Sequence, residues 1–363
     1  MRNFFSIVSL ILISFMSCSD SDTYEKITPE VSVDLSKVPY PKLSDYHFFK
    51  DELKNLSPNN RVLPYQPASE LFTDYASKSR FVWMPQVTKA SLNHPHQIAD
   101  LPVGAVLIKN FYYQNLMPNN HRRVIETRLL INTSNGWQPY TYVWNDAQTD
   151  AFLNEEEQTL PLNWQKSPTE TIQINYVIPS QTSCFSCHHT NFVDSDEIAP
   201  IGIKPHHLNH TYNYADGPKN QWQKWQEVGY LNPPSIIFGE SAINYKNTTE
   251  DLTKRVRSYL DINCAHCHRV GAEAELLPIK FSFHLTANND GLGICDDRIL
   301  PAPNPGFFGH HYILPNQPEL SLIYHKMTIN TAGLLMPPIG RSINDQEAVN
   351  LMQQWILSLP DCP

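Results

Sequence analysis

Between residues 61 and 180, hydrophobic and polar positions alternate in several runs with the period of two that is typical of β-strands. The pattern is clearest in four runs, VGAVLIKNFYY, RVIETRLLIN, WQPYTYVW and IQINYVI, which begin at Val103, Arg123, Trp137 and Ile172. An Asn-Gly pair at 135–136 separates two of them and predicts a hairpin. We therefore predict a β-rich domain over residues 61–235.

After residue 248 the hydrophobic period changes to that of amphipathic helices. Residues 248–263 place Leu252, Val256, Tyr259 and Leu260 on one face, and Thr248 with Asp251 resembles a capping box. Residues 345–359 form a second such pattern that begins after Asn344 and ends before Pro360. These two patterns predict a separate unit over residues 248–363.

Composition and charge narrow the class of protein. The chain of 363 residues is 41% hydrophobic and 17% charged, which is typical of a globular protein and long enough for two domains. Its formal net charge of −9 argues against a nucleic-acid-binding surface, and we expect no nucleic-acid partner.

The N-terminus has the pattern of a bacterial export signal. Arg2 precedes an apolar run from Phe4 to Met16 that is too short for a membrane span. Ser17-Cys18 at its end resembles a lipobox, and an incidental cysteine after an ordinary signal is the alternative. We predict a lipoprotein signal peptide over residues 1–17, lipidation of Cys18 and a tether over residues 18–60. The resemblance implies a lipid-anchored protein of the bacterial cell envelope, periplasmic or at the outer membrane or cell surface.

Four of the seven cysteines form two Cys-x-x-Cys-His motifs. The first is Cys184, Cys187 and His188, and the second consists of Cys264, Cys267 and His268. Two thiols at this spacing can reach the two vinyl groups of one haem, and the following histidine binds the iron as an axial ligand. A zinc knuckle or a redox-active dithiol is the alternative for a single motif. Two motifs in an exported chain predict two covalently attached haems c, the first at the edge of the sheet.

Two further cysteines, Cys295 and Cys362, have no motif around them. In an oxidising compartment such cysteines usually pair. We predict a disulfide between them, with two buried free thiols as the alternative.

The second motif belongs to a larger pattern. A helix leading into Cys264, then Met336-Pro337-Pro338, then a terminal amphipathic helix with a tryptophan resembles the class I cytochrome c domain. The resemblance implies His268 and Met336 as the axial ligands of the second haem, and a methionine of the core is the alternative for Met336. The expected fold class is α+β, an N-terminal β-rich domain that carries the first haem and a C-terminal all-α class I cytochrome c domain.

The whole chain also resembles diheme c-type cytochromes of bacterial cell envelopes, which contain a stretch like Leu71 to Arg80 before a β-rich region and two haem motifs. This resemblance implies that the chain belongs to such a family, but it does not indicate a reaction. The distal ligand of the first haem stays open, and the candidates are Met84, His206, His207 and His210.

The sequence is consistent with three functions, and it does not decide whether the protein is an enzyme. The first is electron transfer between redox partner proteins by two haems. The second is a diheme oxidoreductase with one open haem. It would be peroxidase-like, with Glu126 as a candidate base, or similar to cytochrome P460, where Lys109 occupies the position of a lysine bonded to the haem. The third is a haem-bearing module that docks onto an envelope assembly.

Overall fold

The computed structural model describes residues 28–189, 197–286, 289, 291–296, 306–331 and 333–363. Strands make up 28% of the structure and helices 19%. In chain order the strands are β1 Phe49–Lys50, β2 Ser57–Pro58, β3 Leu63–Tyr65, β4 Ser77–Trp83, β5 Val106–Leu116, β6 His121–Thr133, β7 Gly136–Trp144, β8 Ala151–Asn154, β9 Gln158–Ser167, β10 Glu170–Ile178, β11 Thr211–Tyr214 and β12 Gly217–Asn220. The helices are α1 Ser183–His188, α2 Pro205–Leu208, α3 Gln221–Glu227, α4 Leu252–Asn263, α5 Leu322–Thr328 and α6 Gln346–Ser358.

One antiparallel sheet of eight strands, β3 to β10, organises the chain. Strand β5 is central: β6 pairs along one edge, β4 along the other, and β9 joins at Leu116 beyond the end of β4. The predicted hairpin between β6 and β7 is confirmed, although its two loop residues are Ser134 and Asn135. Gly136 opens β7 with φ +87°, a conformation that favours glycine.

One face of the sheet packs against the N-terminal segment. Phe81, Ile108 and Leu129 on this face are buried with Leu43 and Tyr46 in one apolar cluster. The predicted tether is therefore folded over much of its described length, because its aromatic and aliphatic side chains cover this face.

The opposite face carries two apolar clusters. Val82 and Leu107 pack against Trp225 of α3 in the first cluster, and Phe111 and Tyr176 belong to the second. The side chains of Arg80, Lys109 and Arg128 share this face between the two clusters, because strand residues two apart point to the same side.

The expected C-terminal all-α class I cytochrome c domain is wrong. The molecule is mostly β-sheet, built on the large antiparallel sheet, and six helices are described in it. Amphipathic helices α4 and α6 do form, and they begin after the caps Asp251 and Asp345. A long segment joins them, however, and it contains isolated β-bridges, for instance between Ile294 and Ile313. The sequence motifs specified the two helices and left this connection undetermined.

A disulfide joins Cys295 in this connection to Cys362 beyond α6. We expect the double variant Cys295→Ser/Cys362→Ser to lose about 4 kcal/mol of unfolding free energy, because the bond closes a long loop in the unfolded chain. The sequence separation is 67 residues. Urea unfolding followed by tryptophan fluorescence measures the loss, and wild-type protein treated with a reductant serves as control. A variant as stable as oxidised wild type would contradict the expectation.

The predicted signal peptide and Cys18 lie outside the described residues. Among the described residues, no helix has the length and apolar character needed to cross a bilayer.

Candidate functional site

The first Cys-x-x-Cys-His motif forms the short helix α1, which follows strand β10 after Pro179. The side chain of Gln181 donates to the carbonyl of Pro139 in β7 (3.0 Å) and fixes the start of the motif. Burial raises the pKa of the Cys184 thiol, and the charge of Arg128 opposes that shift. The first motif therefore follows the edge strand β10, and its start is tied to β7.

The imidazole of His188 is oriented by the backbone. Its Nδ1 lies 2.6 Å from the carbonyl oxygen of Ala199, so Nδ1–H donates and Nε2 keeps its lone pair. Burial lowers the pKa of His188 to about 4, which keeps the ring neutral at pH 7. A neutral imidazole held through its second nitrogen is the usual arrangement of a histidine that binds a metal.

The second motif begins where helix α4 ends, with Cys264 as the C-cap residue. Cys264 and His268 line a cavity whose other walls are almost entirely apolar, and Met336 and Pro337 lie across it. The remaining lining residues are Tyr259, Leu277, Ile279, Phe281, Leu292, Tyr312, Ile313, Leu322, Ile323, Lys326 and Met327. The structure thus brings Cys264, His268 and Met336 to one cavity, while Cys267, the other cysteine proposed for the second haem, does not line it.

The donors in this cavity fit a flat apolar group that carries a metal. Nδ1 of His268 is buried without a hydrogen-bond partner, and burial lowers the pKa of the ring to about 4. One imidazole and one thioether do not complete the tetrahedral set of a structural zinc site. Met327 is a second thioether in the same cavity. The sequence analysis missed it, since its only signal is a position in a short amphipathic helix.

The two motifs meet in space. The ligand atoms of Cys187, His266 and Cys267 all lie within 4.8 Å of one another, and the Cys267 thiol donates to the carbonyl of Ser186 (3.5 Å). Arg269 closes the contact by donating to the carbonyl of His189 (2.6 Å). Nothing in the spacing of 80 residues between the motifs predicted this contact.

The side chains of Cys187, His266 and Cys267 could also bind a metal ion directly. Hydrogen bonding to Cys267, together with the imidazole of His266, lowers the pKa of Cys187 below that of an ordinary thiol. A thiolate, a thiol and an imidazole at these distances are also suitable donors for Zn²⁺. Covalent attachment of the haems would instead consume the thiols of Cys187 and Cys267, and His266 would not bind iron.

The candidate distal ligands of the first site have other partners. His206 and His207 place Nε2 on the carboxylate of Asp261, at 3.1 and 2.8 Å, while their Nδ1 atoms are buried without partners. Both ring nitrogens of His210 bind backbone oxygens. Met84 is fully buried in the apolar cluster next to Arg80.

Asp261 is a polar centre that the sequence analysis missed. It lies on α4, one turn before the second motif, and is 1% exposed. Its Oδ2 accepts from Lys204 (2.8 Å) as well as from the two histidines, and its Oδ1 accepts from the backbone of Phe283 (2.8 Å). Burial alone would raise its pKa, but Lys204 and His206 hold it well below the usual range. A carboxylate among the apolar positions of an amphipathic helix was the available signal.

The stretch from Leu71 to Arg80 contacts segments next to the second site. The Asp74 carboxylate accepts from the backbone of Ser342 (2.7 Å) and Ile343 (3.0 Å). The backbone of Phe72 donates to Asn263, directly before Cys264 (2.7 Å). This stretch therefore ties the end of the second motif's helix and the segment after Met336 to the sheet.

Two residues proposed for catalysis lie within the sheet, Glu126 on β6 and Lys109 on β5. Glu126 is fully buried and accepts from Arg128 (2.9 Å) and Tyr176 (2.6 Å), so a role as base would require breaking an ion pair. Lys109 lies near His188, whose pKa its charge lowers further after burial.

The chain matches no protein-family model, no curated protein and no solved structure.

Proposed function

We propose that this protein is a diheme c-type cytochrome that transfers electrons in the bacterial cell envelope. The observation that carries the proposal is the meeting of two Cys-x-x-Cys-His motifs, with Cys187 and Cys267 within 4.8 Å. Each motif supplies two thiols for covalent attachment and one half-buried imidazole. Two cofactors held at adjoining motifs form a short relay.

Each residue of the sites has a definite task. Cys184 and Cys187 would anchor the first haem, and Cys264 and Cys267 the second. The haem iron supplies one-electron exchange. His188 presents Nε2 because its Nδ1 is held by Ala199. His268 and Met336 would hold the iron of the second haem, and the walls of their cavity are largely apolar.

The proposed location and partners follow from the same function. A lipid anchor at Cys18 would hold the protein at a membrane, where it meets redox partner proteins. The net charge of −9 suits partners with basic or neutral docking faces.

A diheme oxidoreductase is the second candidate. Three of the four candidate distal ligands of the first site are engaged elsewhere through a ring nitrogen, namely His206, His207 and His210. That observation favours an open coordination position at the first haem. A high-spin ferric EPR signal from one haem would support this candidate, and two low-spin signals would support electron transfer alone.

A potentiometric titration followed by visible spectroscopy tests the relay. We expect two one-electron waves in wild type, and one wave in each of Cys184→Ala/Cys187→Ala and Cys264→Ala/Cys267→Ala. The variant Cys295→Ser/Cys362→Ser is the matched control, because it removes two cysteines outside the motifs and should keep both waves. A wild-type protein without a redox wave, or with bound zinc instead of haem, would refute the proposal.

A further inference from the structure

Three basic side chains lie at directly opposite positions on neighbouring strands and form a row across the centre of the sheet. Arg80 of β4 is directly opposite Lys109 of β5, and Lys109 is directly opposite Arg128 of β6. Directly opposite side chains begin about 5 Å apart and point to the same face, and like charges in this arrangement are destabilising. Three cations at directly opposite positions therefore require a negative charge nearby.

A fourth cation and an aromatic ring belong to the same cluster. Lys78 precedes Arg80 by two residues and shares its face. The ring centroid of Phe111 lies 4.8 Å from Lys109 Nζ, 5.8 Å from Lys78 Nζ and 4.5 Å from Arg128 Cζ. Cation–π contacts of about 0.5–2 kcal/mol each hold these groups in place but leave their net charge unchanged.

The nearby carboxylates do not neutralise the cluster. Glu126 is committed to Arg128 and Tyr176, and Glu70 forms its ion pair with Lys246 (3.3 Å). Within the described part of the chain, no ion pair is present for Lys78, Arg80 or Lys109.

These charges are also desolvated. Arg80 is only 7% exposed, and burial lowers the pKa of Lys78 to about 7 and that of Lys109 well below its usual value. Lys78 donates to the backbone carbonyl of Ala76 (2.7 Å), which is an uncharged partner. Withdrawing cations from water without an anionic partner is costly, whereas a bound anion turns the same groups into strong hydrogen-bond donors.

We propose that Lys78, Arg80 and Lys109 form a binding site for a carboxylate or small oxyanion beside the first Cys-x-x-Cys-His motif. The location follows from Glu126, which accepts from Arg128 of this row (2.9 Å) and from Tyr176 (2.6 Å) of β10, the strand that leads into the motif. Two sources have this chemistry: the propionate groups of the first haem and a free anion from solution. The first source rests on the proposed function, and the second does not.

The variants Arg80→Gln and Lys109→Gln test the site in the full-length protein, with the exposed Lys89→Gln as matched control. Thermal unfolding is measured with increasing phosphate and with increasing acetate, and the midpoint potentials of both haems are measured alongside. Arg80→Lys and Lys109→Arg should restore wild-type behaviour, because they keep the charge.

Each source predicts a distinct result. If the site holds propionates, the two glutamine variants shift one midpoint potential to more negative values, and added anions stabilise wild type no more than Lys89→Gln. If the site holds a free anion, phosphate or acetate raises the unfolding temperature of wild type, and each glutamine variant binds the anion at least about tenfold more weakly. Glutamine variants that match wild type and Lys89→Gln in both measurements would overturn the proposal. A protein without haem would refute the proposed function, while the anion titration would still test this site.

Discussion

If the proposed second haem is bound, replacing Met336 by alanine is expected to lower its midpoint potential by on the order of 0.1 V, because a thioether ligand would stabilise ferrous iron. Met336 lines the same cavity as His268, and its side chain remains partly accessible, with 39% exposure. The variant should also lose the weak sulfur-to-iron charge-transfer band of the ferric spectrum. Potentiometry and visible spectroscopy measure the two effects on one sample.

Met327 supplies the matched control for this experiment. It lines the same cavity and is 8% exposed, so Met327→Leu removes a thioether while nearly preserving volume. We expect this variant to keep both the band and the potential. If Met327→Leu loses them and Met336→Ala does not, Met327 is the ligand and the assignment of Met336 is wrong.

Replacing Asp261 by asparagine is expected to cost about 3–5 kcal/mol of unfolding free energy, since it leaves buried donors without their charged partner. Lys204, His206 and His207 all depend on Oδ2 of this side chain. The change preserves the shape of the residue, so the loss of unfolding free energy reports the removal of the charge and not a change in packing. Urea unfolding followed by tryptophan fluorescence gives the value.

Asp251 on the same helix is the control for Asp261. It caps α4 by accepting from the backbone of Lys254 (2.8 Å) and is exposed. Asp251→Asn should cost well under 1 kcal/mol, because asparagine caps helices about as well as aspartate. Equal losses in the two variants would show that Asp261 is not the centre of a buried charge network.

Local patterns predicted the parts of the molecule that depend on neighbouring residues. Alternation located strands β5, β6, β7 and β10, and apolar spacing located helices α4 and α6. Strand β4 was missed, because a segment with Lys78 and Arg80 on one face lacks clean alternation of apolar and polar positions. The expected all-α C-terminal domain was wrong for a related reason, since two helices and two motifs do not determine the long connection between them.

Contacts between distant residues could not be predicted from the spacing of motifs. The meeting of Cys187 with Cys267 depends on how the end of α4 packs against residues 70–74. The cationic row depends on strand register, which places Lys109 between Arg80 and Arg128. Lys109 inside the apolar run VGAVLIKNFYY was the only local signal of that row.

The intact mass of the denatured wild-type protein, expressed with the cytochrome c maturation proteins, tests the central claim most directly. Thioether bonds survive denaturation, so a chain with two attached haems keeps both masses. We predict the mass of the chain plus two haems, with four cysteines resistant to alkylation. A mass without haem, with Cys184, Cys187, Cys264 and Cys267 all open to alkylation, would contradict the account.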